Sequence, residues 1–296
     1  MGKHVAERLT AAGEQVVDVP PKLTARARVF ATGQGRKTDA TDAHSVALVG
    51  TRMAGLRPFV DDEQLAVLQT LVDRRRSLGD DHIRMISQLH QVLLLLIPGG
   101  AKRFLSAAQA KSLLATVRPR DAAGKARRRV AAELIADLER VYRRSKAADK
   151  ELEALVRETG TSLMDLKGIG PSGAARLLVE VGDITRFPSK AHFGSWTGTA
   201  PIDASSGDHV RHRLSRGGNR QINRVLHTMA VVQLRRPTPG RVYCDRRKSE
   251  AKTSMEAMRA LKRRLSDVVY RTMLHDAIKG VGTWPDGPGR TPGDDY

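Results

Sequence analysis

Two long stretches of the chain repeat apolar residues at helical spacing, and they limit what the remaining residues can fold around. Over 62–96 the stripe runs through Leu65, Leu68, Leu71, Val72, Leu78, Ile83, Ile86, Leu89, Leu93 and Leu96, with Arg74-Arg75-Arg76 on the remaining face. Residues three and four apart share one side of an α-helix, so this stripe predicts one long helix with a single face to bury. Pro98-Gly99-Gly100 stops it. A second stripe, formed by Val130, Leu134, Leu138, Val141, Leu152 and Leu155, predicts another long helix over 127–159. A short helix is expected between them at 106–116, followed by a polar connector at 118–125. Each long helix can cover the other as an antiparallel hairpin or coiled coil; an ordinary helical bundle is the competing arrangement.

The flanking segments read differently. At the N-terminal end, a short helix over 5–12 ends at Gly13, and 15–19 reads as a buried strand before Pro20-Pro21, a helix–strand fragment of an α/β layer. The basic segment 22–36 reads as a loop. It leads to Lys37-Thr38-Asp39-Ala40-Thr41-Asp42-Ala43-His44, where Asp39 and Asp42 fall on one helix face and Ala43, Val46, Ala47 and Val49 form the packing side. Two carboxylates that converge with others can hold Mg²⁺ and serve phosphodiester cleavage; the same spacing is also common at a solvated helix start. Near the other end, 220–234 predicts a helix packing through Ile222, Val225, Leu226, Met229 and Val232, broken by Pro237-Thr238-Pro239-Gly240. A last helix over 254–277 is apolar on one face and basic on the other. The Gly-, Pro- and Asp-rich 280–296 is expected to be disordered. The expected division is therefore 1–60, 61–160, 161–279 and the tail.

Charge narrows the partners. The formal charge is +19 and the pI about 10.7. Such a chain repels itself unless it meets a polyanion, which points to DNA or RNA. Aromatic residues make up 4%, so phosphate contacts rather than base-stacking platforms are the expected main device. Cys244 is the single cysteine, which excludes an internal disulfide. With no signal pattern and no apolar run of spanning length, no membrane association is expected, and a cytoplasmic, nucleoid-associated protein is the expectation.

The chemistry concentrates in 163–227. Leu166-Lys167-Gly168-Ile169-Gly170-Pro171-Ser172-Gly173 forms a glycine turn ahead of an Ala/Leu-rich helix. The N–H groups of Gly168 and Gly170 are placed either to meet phosphate or simply to make a tight turn. Ser205 and Ser206 precede Gly207, a pairing suited to a nucleophile or to a plain turn. Arg211, Arg213, Arg216 and Arg220 could stabilise phosphoryl charge, and His209 and His212 could move protons or bind phosphate. Asn219 could bond a phosphate or cap the next helix.

Taken in order, Lys37-Thr38-Asp39 with Asp42-Ala43, then 166–173, then 198–219 with Ala200-Pro201, Ser206-Gly207 and Gly217-Gly218-Asn219-Arg220, resemble the transposases of the DEDD insertion-sequence family. These are also called bridge-RNA-guided recombinases. The resemblance covers roughly 1–277 and includes the helix around Arg259 to Leu265. It implies a ribonuclease-H-like (RuvC-like) N-terminal domain, a helical coiled-coil insert, and a mainly helical C-terminal transposase domain containing a helix–hairpin–helix. It further implies four acids that bind Mg²⁺, a serine that becomes covalently joined to DNA, a guide RNA and a homo-oligomer. Asp39 and Asp42 match the third and fourth acids, and Ser206 the nucleophile, with Ser205 as the alternative. Lys37, Gly168, Gly170, Arg211, Arg213, Arg216, Asn219 and Arg220 are the expected nucleic-acid contacts. The first Asp and the Glu of the acidic set would precede residue 1. The expectation is thus a truncated first domain and weak or absent cleavage by these residues alone. The alternative is a non-catalytic, nucleic-acid-binding remnant or regulator.

Overall fold

The computed structural model describes residues 2–19, 21–32, 38–54, 56–59, 62–102, 104–203, 212–213 and 217–281. The described residues are mostly helical, and they divide into two compact units, Met1–Glu63 and Gln64–Gly287.

The first unit contains α1 (Gly2–Ala11), β1 (Val17–Asp18), α2 (Pro21–Thr32), α3 (Asp39–Arg52) and β2 (Arg57–Pro58). Three expectations are corrected here. The strand at 15–19 shrinks to two exposed residues, paired antiparallel with β2 through Val17↔Pro58 and Asp18↔Arg57. The basic segment 22–36 is helical as far as Thr32, because Ala, Leu and Arg favour helix even without an apolar stripe. In α3 the buried residues are Ser45 and Val49, whereas Val46 is exposed. Ser45 and Val49 lie one turn apart, and the Ser45 hydroxyl donates to the Thr41 carbonyl at 2.7 Å, which lets a polar residue serve the buried face. Thr38 caps α3 and exchanges hydrogen bonds with Thr41 in a capping box.

The second unit is built on α4 (Glu63–Leu94) and α6 (Ala122–Glu158), with α5 (Ala107–Thr116) between them in sequence. The early part of α4 shares a core with the late part of α6, through Leu68, Val72, Leu152 and Val156. The late part of α4 shares a second core with the early part of α6 and with α5, through Leu89, Leu93, Ala110, Leu114, Ile135 and Leu138. The two long helices therefore run antiparallel, as the stripes predict, and Arg75 bridges them to Asp149 at 2.7 Å. Two stripe positions face outward instead. Ile83 and Val130 are exposed, and Ala131 takes the inward place beside Val130.

Beyond α6, a 3-10 turn at Ser162–Asp165 leads to α7 (Pro171–Val181), α8 (Lys190–Trp196), β3 (Ile202–Asp203), β4 (His212–Arg213), α9 (Arg220–Leu234), α10 (Pro239–Ser249) and α11 (Ser254–Ile278). Thr238 caps α10 and Pro239 occupies its first turn, so the expected break at 237–240 is also a helix start. An aromatic group of Phe187, Phe193, Trp196 and Tyr270 fills the space between α8 and α11, and the Tyr270 hydroxyl donates to the Phe187 carbonyl at 3.0 Å. Cys244 is buried, and that burial pushes its thiol above the usual range. The predicted disordered segment lies outside the described residues from 282 onward.

Asp276 is the tie that closes this unit. Its buried carboxylate accepts from the Thr161 hydroxyl at 2.8 Å, the Ser162 N–H at 2.9 Å and the Ser162 hydroxyl at 2.6 Å. Removing it strands all three donors. Asp276→Ala is expected to cost about 3 kcal/mol of stability, read as a lower urea midpoint with an unchanged slope.

Candidate nucleic-acid interface

The glycine turn is shaped by close packing. Gly168 has a φ of 96°, and a Cβ there would come within 2.9 Å of both the Met229 Cα and its carbonyl oxygen. Only glycine meets both demands. The Lys167 carbonyl accepts from the Gln233 amide at 3.0 Å, so the turn is fastened to α9 at two points. Gly170 stands at the N-cap of α7 with no capping side chain, is itself exposed, and is followed by Pro171. The amino end of α7 therefore faces outward with its dipole uncapped by any side chain.

That end of α7 opens on a groove of about 640 Å³, walled by α4 and α6 on one side and α9 on the other. Arg75, Arg76, Lys146, Arg176 and Arg224 line it, opposed by Asp80, Asp149 and Glu153. Arg75 is held by Asp149 and Arg76 lies 3.9 Å from Asp80, while Arg224 is exposed. With Arg176 set aside because Asp73 and Glu180 already meet its charge, the lining cations still outnumber the lining carboxylates, which suits an anionic ligand.

Arg176 does different work. It is buried on the apolar helix α7, bonds Asp73 of α4 at 2.6 Å, and lies 3.4 Å from Glu180. Glu180 in turn accepts from the Asn219 amide at 2.7 Å. The Asn219 side-chain oxygen accepts from the N–H groups of Gln221 and Ile222, which makes it the N-cap of α9. Both ends of that amide are committed, so of the two roles open to Asn219 the structure displays the cap.

The segment between α8 and α9 leaves and re-enters the helical core at one point. Gly198 has a φ of 68°, and a Cβ on Gly218 would overlap the Gly198 backbone and lie 2.8 Å from the Thr197 carbonyl carbon. The Asn219 N–H donates to the Trp196 carbonyl at 2.7 Å. Asn223 donates to the Thr197 carbonyl at 2.9 Å and accepts from Lys262 Nζ at 2.5 Å. Burial, then the neighbouring Arg259, lowers the Lys262 ammonium below the usual lysine range. Above this closed base, β3 and β4 pair antiparallel through Ile202↔Arg213 and Asp203↔His212.

The expected site residues fall out as follows. Gly168, Gly170, Asn219 and exposed Arg220 lie in the second unit, gathered by α7 and α9. Arg213 lies in β4, with its side chain outside the described residues. Ser205, Ser206, His209, Arg211, Arg216 and Lys37 also lie outside them. Asp39 and Asp42 sit in the first turn of α3 in the first unit. Asp42 is ion-paired with Arg28 at 2.5 Å, and among the described residues no group of three His, Cys, Asp or Glu side chains converges as a metal site. Two carboxylates, one already neutralised by a guanidinium, do not by themselves fit a divalent cation. Sequence reasoning passed over Arg224, Lys146, Asn223 and Lys262. The Arg74-Arg75-Arg76 run was a visible signal for the groove wall; Lys262 had none beyond its place in a basic helix.

Comparison with known proteins adds the lineage. A family model described as a DEDD-type IS110 transposase matches residues 1–98, and one described as the transposase IS116/IS110/IS902 family matches residues 160–244. The chain belongs to this family of insertion-sequence transposases. It is 34% identical over 161 residues to the insertion element IS110 uncharacterized 43.6 kDa protein of Streptomyces coelicolor, a match that spans 53% of this chain and 40% of that protein. It is 26% identical to the insertion element IS116 uncharacterized 44.8 kDa protein of Streptomyces clavuligerus, over 90% of this chain and 78% of the relative. A protein of insertion element IS900 from Mycobacterium paratuberculosis is 27% identical over 91% of this chain and 79% of its own length. Transposases of this family act on DNA and typically employ a divalent metal. Among the described residues, no helix is long and apolar enough to cross a membrane.

Proposed function

We propose that the chain cuts and rejoins DNA through Ser206 during transposition, with the cationic groove at the α7 turn holding a nucleic-acid backbone. The observation that carries this reading is the closed base at Gly198 and Gly218. It ties the two ends of the stretch whose sequence includes Ser206 to the start of the same helix, α9, that lines the groove. A nucleophile on such a base can be presented to a bound phosphate without reorganising the core.

In the proposed step the Ser206 hydroxyl oxygen attacks phosphorus. An O–P bond forms as the bond to the leaving deoxyribose oxygen breaks; the serine proton passes to a base and the leaving oxygen takes one up. Attack by the hydroxyl of another strand reverses the exchange, so each broken phosphodiester is matched by one remade and no outside energy source is needed. His209 and His212 are proposed to contact phosphate, with proton transfer as their alternative role, and Arg211, Arg213, Arg216 and Arg220 are the proposed partners of phosphoryl charge. Asp39 and Asp42, in a partial RuvC-like domain over 1–60, are the proposed remnant of the family's acidic set; with Asp42 paired to Arg28 the two are too few to hold Mg²⁺ by themselves, so cleavage by these residues alone is expected to be weak. A guide RNA selecting the target, a helix–hairpin–helix at the glycine turn, and a homo-oligomer that brings DNA ends together complete the reading.

The test is to incubate the protein with element-end DNA and Mg²⁺, denature it, and look for a covalent protein–DNA adduct whose attachment residue is mapped by peptide mass spectrometry. Attachment at Ser206 supports the reading. Salt-sensitive binding with no adduct supports the non-catalytic binder instead. Arg224→Ala is expected to weaken duplex binding regardless of sequence and to lower the slope of log affinity against log salt by about one, measured by fluorescence anisotropy.

A further inference from the structure

A second concavity adjoins the glycine turn, walled by Leu166 and Lys167 where the groove already assigned to a nucleic-acid backbone is walled by Gly170 and Ser172. It measures about 500 Å³, within the roughly 300–1,000 Å³ range of small-molecule sites. Its walls are apolar, supplied chiefly by Met229 of α9, Val242 of α10, and Leu261 and Val268 of α11. Three cations join them: Lys167, Arg246 and Arg264, all exposed. No carboxylate lines it among the described residues.

Two of these cations, Arg246 and Arg264, lie over one aromatic ring. The Arg264 guanidinium lies 4.7 Å from the Tyr243 ring centroid and that of Arg246 lies 5.5 Å from it. Arg246 shares Glu250 at 3.7 Å, but Arg264 and Lys167 meet no carboxylate among the described residues. An apolar pit with an aromatic wall and an unbalanced cationic lining suits a ligand that is flat and apolar at one end and anionic at the other. An unpaired nucleotide has that form: its base fits an apolar or guanidinium surface, and its phosphate meets the cations.

We infer that this pit, lined by Tyr243, Val242, Lys167, Arg246 and Arg264, binds one unpaired nucleotide of a single strand. The inference shares with the proposed function only the premise that the chain binds nucleic acid, and it requires no catalysis. The groove along α4 and α6 then follows a backbone, while the pit holds a nucleotide that has left its duplex or never joined one. A low aromatic content is compatible with this, because one pit needs one ring.

The test measures equilibrium binding of fluorescent single strands to the full chain carrying Ser206→Ala, so that no cleavage intrudes. The probes are homothymidine DNA, homouridine RNA, and an abasic DNA of equal length. Val242 is 70% exposed, so Val242→Trp can fill the pit from outside without entering the core. It is expected to weaken binding of the base-bearing strands about tenfold while leaving the abasic strand unchanged. Arg264→Met is expected to weaken all three. The homothymidine and homouridine arms tell whether the occupant is DNA or RNA. With Val242→Trp, equal losses on base-bearing and abasic strands, or no loss in a protein of unchanged melting temperature, would overturn the inference. So would a change in sedimentation showing that Val242→Trp breaks a contact between copies of the chain. Failure to trap an adduct would sink the proposed catalysis and leave this result standing.

Discussion

Replacing Ser206 with Ala is expected to lower covalent adduct and strand-exchange product by at least about 10³-fold while duplex affinity stays within about twofold of the parent. The size of the effect follows from the role. A nucleophile makes a bond that no neighbouring group can make in its place, whereas a backbone contact is one of many. Ser205→Ala serves as the companion, since the two hydroxyls are adjacent in sequence. If Ser205→Ala abolishes the adduct and Ser206→Ala does not, the nucleophile is reassigned. If neither variant changes product yield, a serine mechanism is wrong for this chain. Gel separation of denatured adducts and a binding isotherm on the same preparations decide among these outcomes.

The second large effect is expected at the closed base. Gly218→Ala places a methyl group on the Gly198 backbone, and no flexible side chain is there to yield. The helix entry would have to move, at a cost of about 3 kcal/mol or more. Adduct yield should fall with it even at temperatures where the protein remains folded, because the Ser206 segment would no longer be anchored as before. Gly217→Ala is the control one residue away. A Cβ at Gly217 meets nothing within 4 Å, so that variant should melt and react like the parent. Equal behaviour of the two variants would show that the contact between Gly198 and Gly218 does not govern the segment. Thermal melts and adduct yields at matched protein concentration provide the comparison.

What could be read from sequence was whatever repeats along the chain. The α4 and α6 stripes, the stop at Pro98-Gly99-Gly100 and the span of α9 all follow from the spacing of apolar side chains, which local geometry fixes. The helix α2 was not legible because its stability comes from helix-forming residues without an apolar stripe. The start of α10 was hidden for another reason: proline ends one element and opens the next, and Thr238 shows which only when its hydroxyl is seen to cap Arg241. At the site, the glycines of the turn and the Asn219 alternatives were visible in the motif. The partners that decide between them were not. Glu180 reaches Asn219 from another helix, Asp73 reaches Arg176 from a helix more than a hundred residues earlier, and Met229 forces glycine at 168. Such contacts depend on tertiary packing and leave no periodic trace.

Because Gly198 and Gly218 meet, the helical scaffold is blind to how much chain lies between them. Lengthening the intervening stretch adds only a slowly growing entropic cost, and the two anchor points keep their positions. Thr199 and Ala200 still bond the Gly194 carbonyl, so it is the 201–217 segment that should behave as an exchangeable cassette: a counterpart from a relative, spliced in between Ala200 and Gly218, ought to leave the host's folding unchanged while carrying its own reactive chemistry with it.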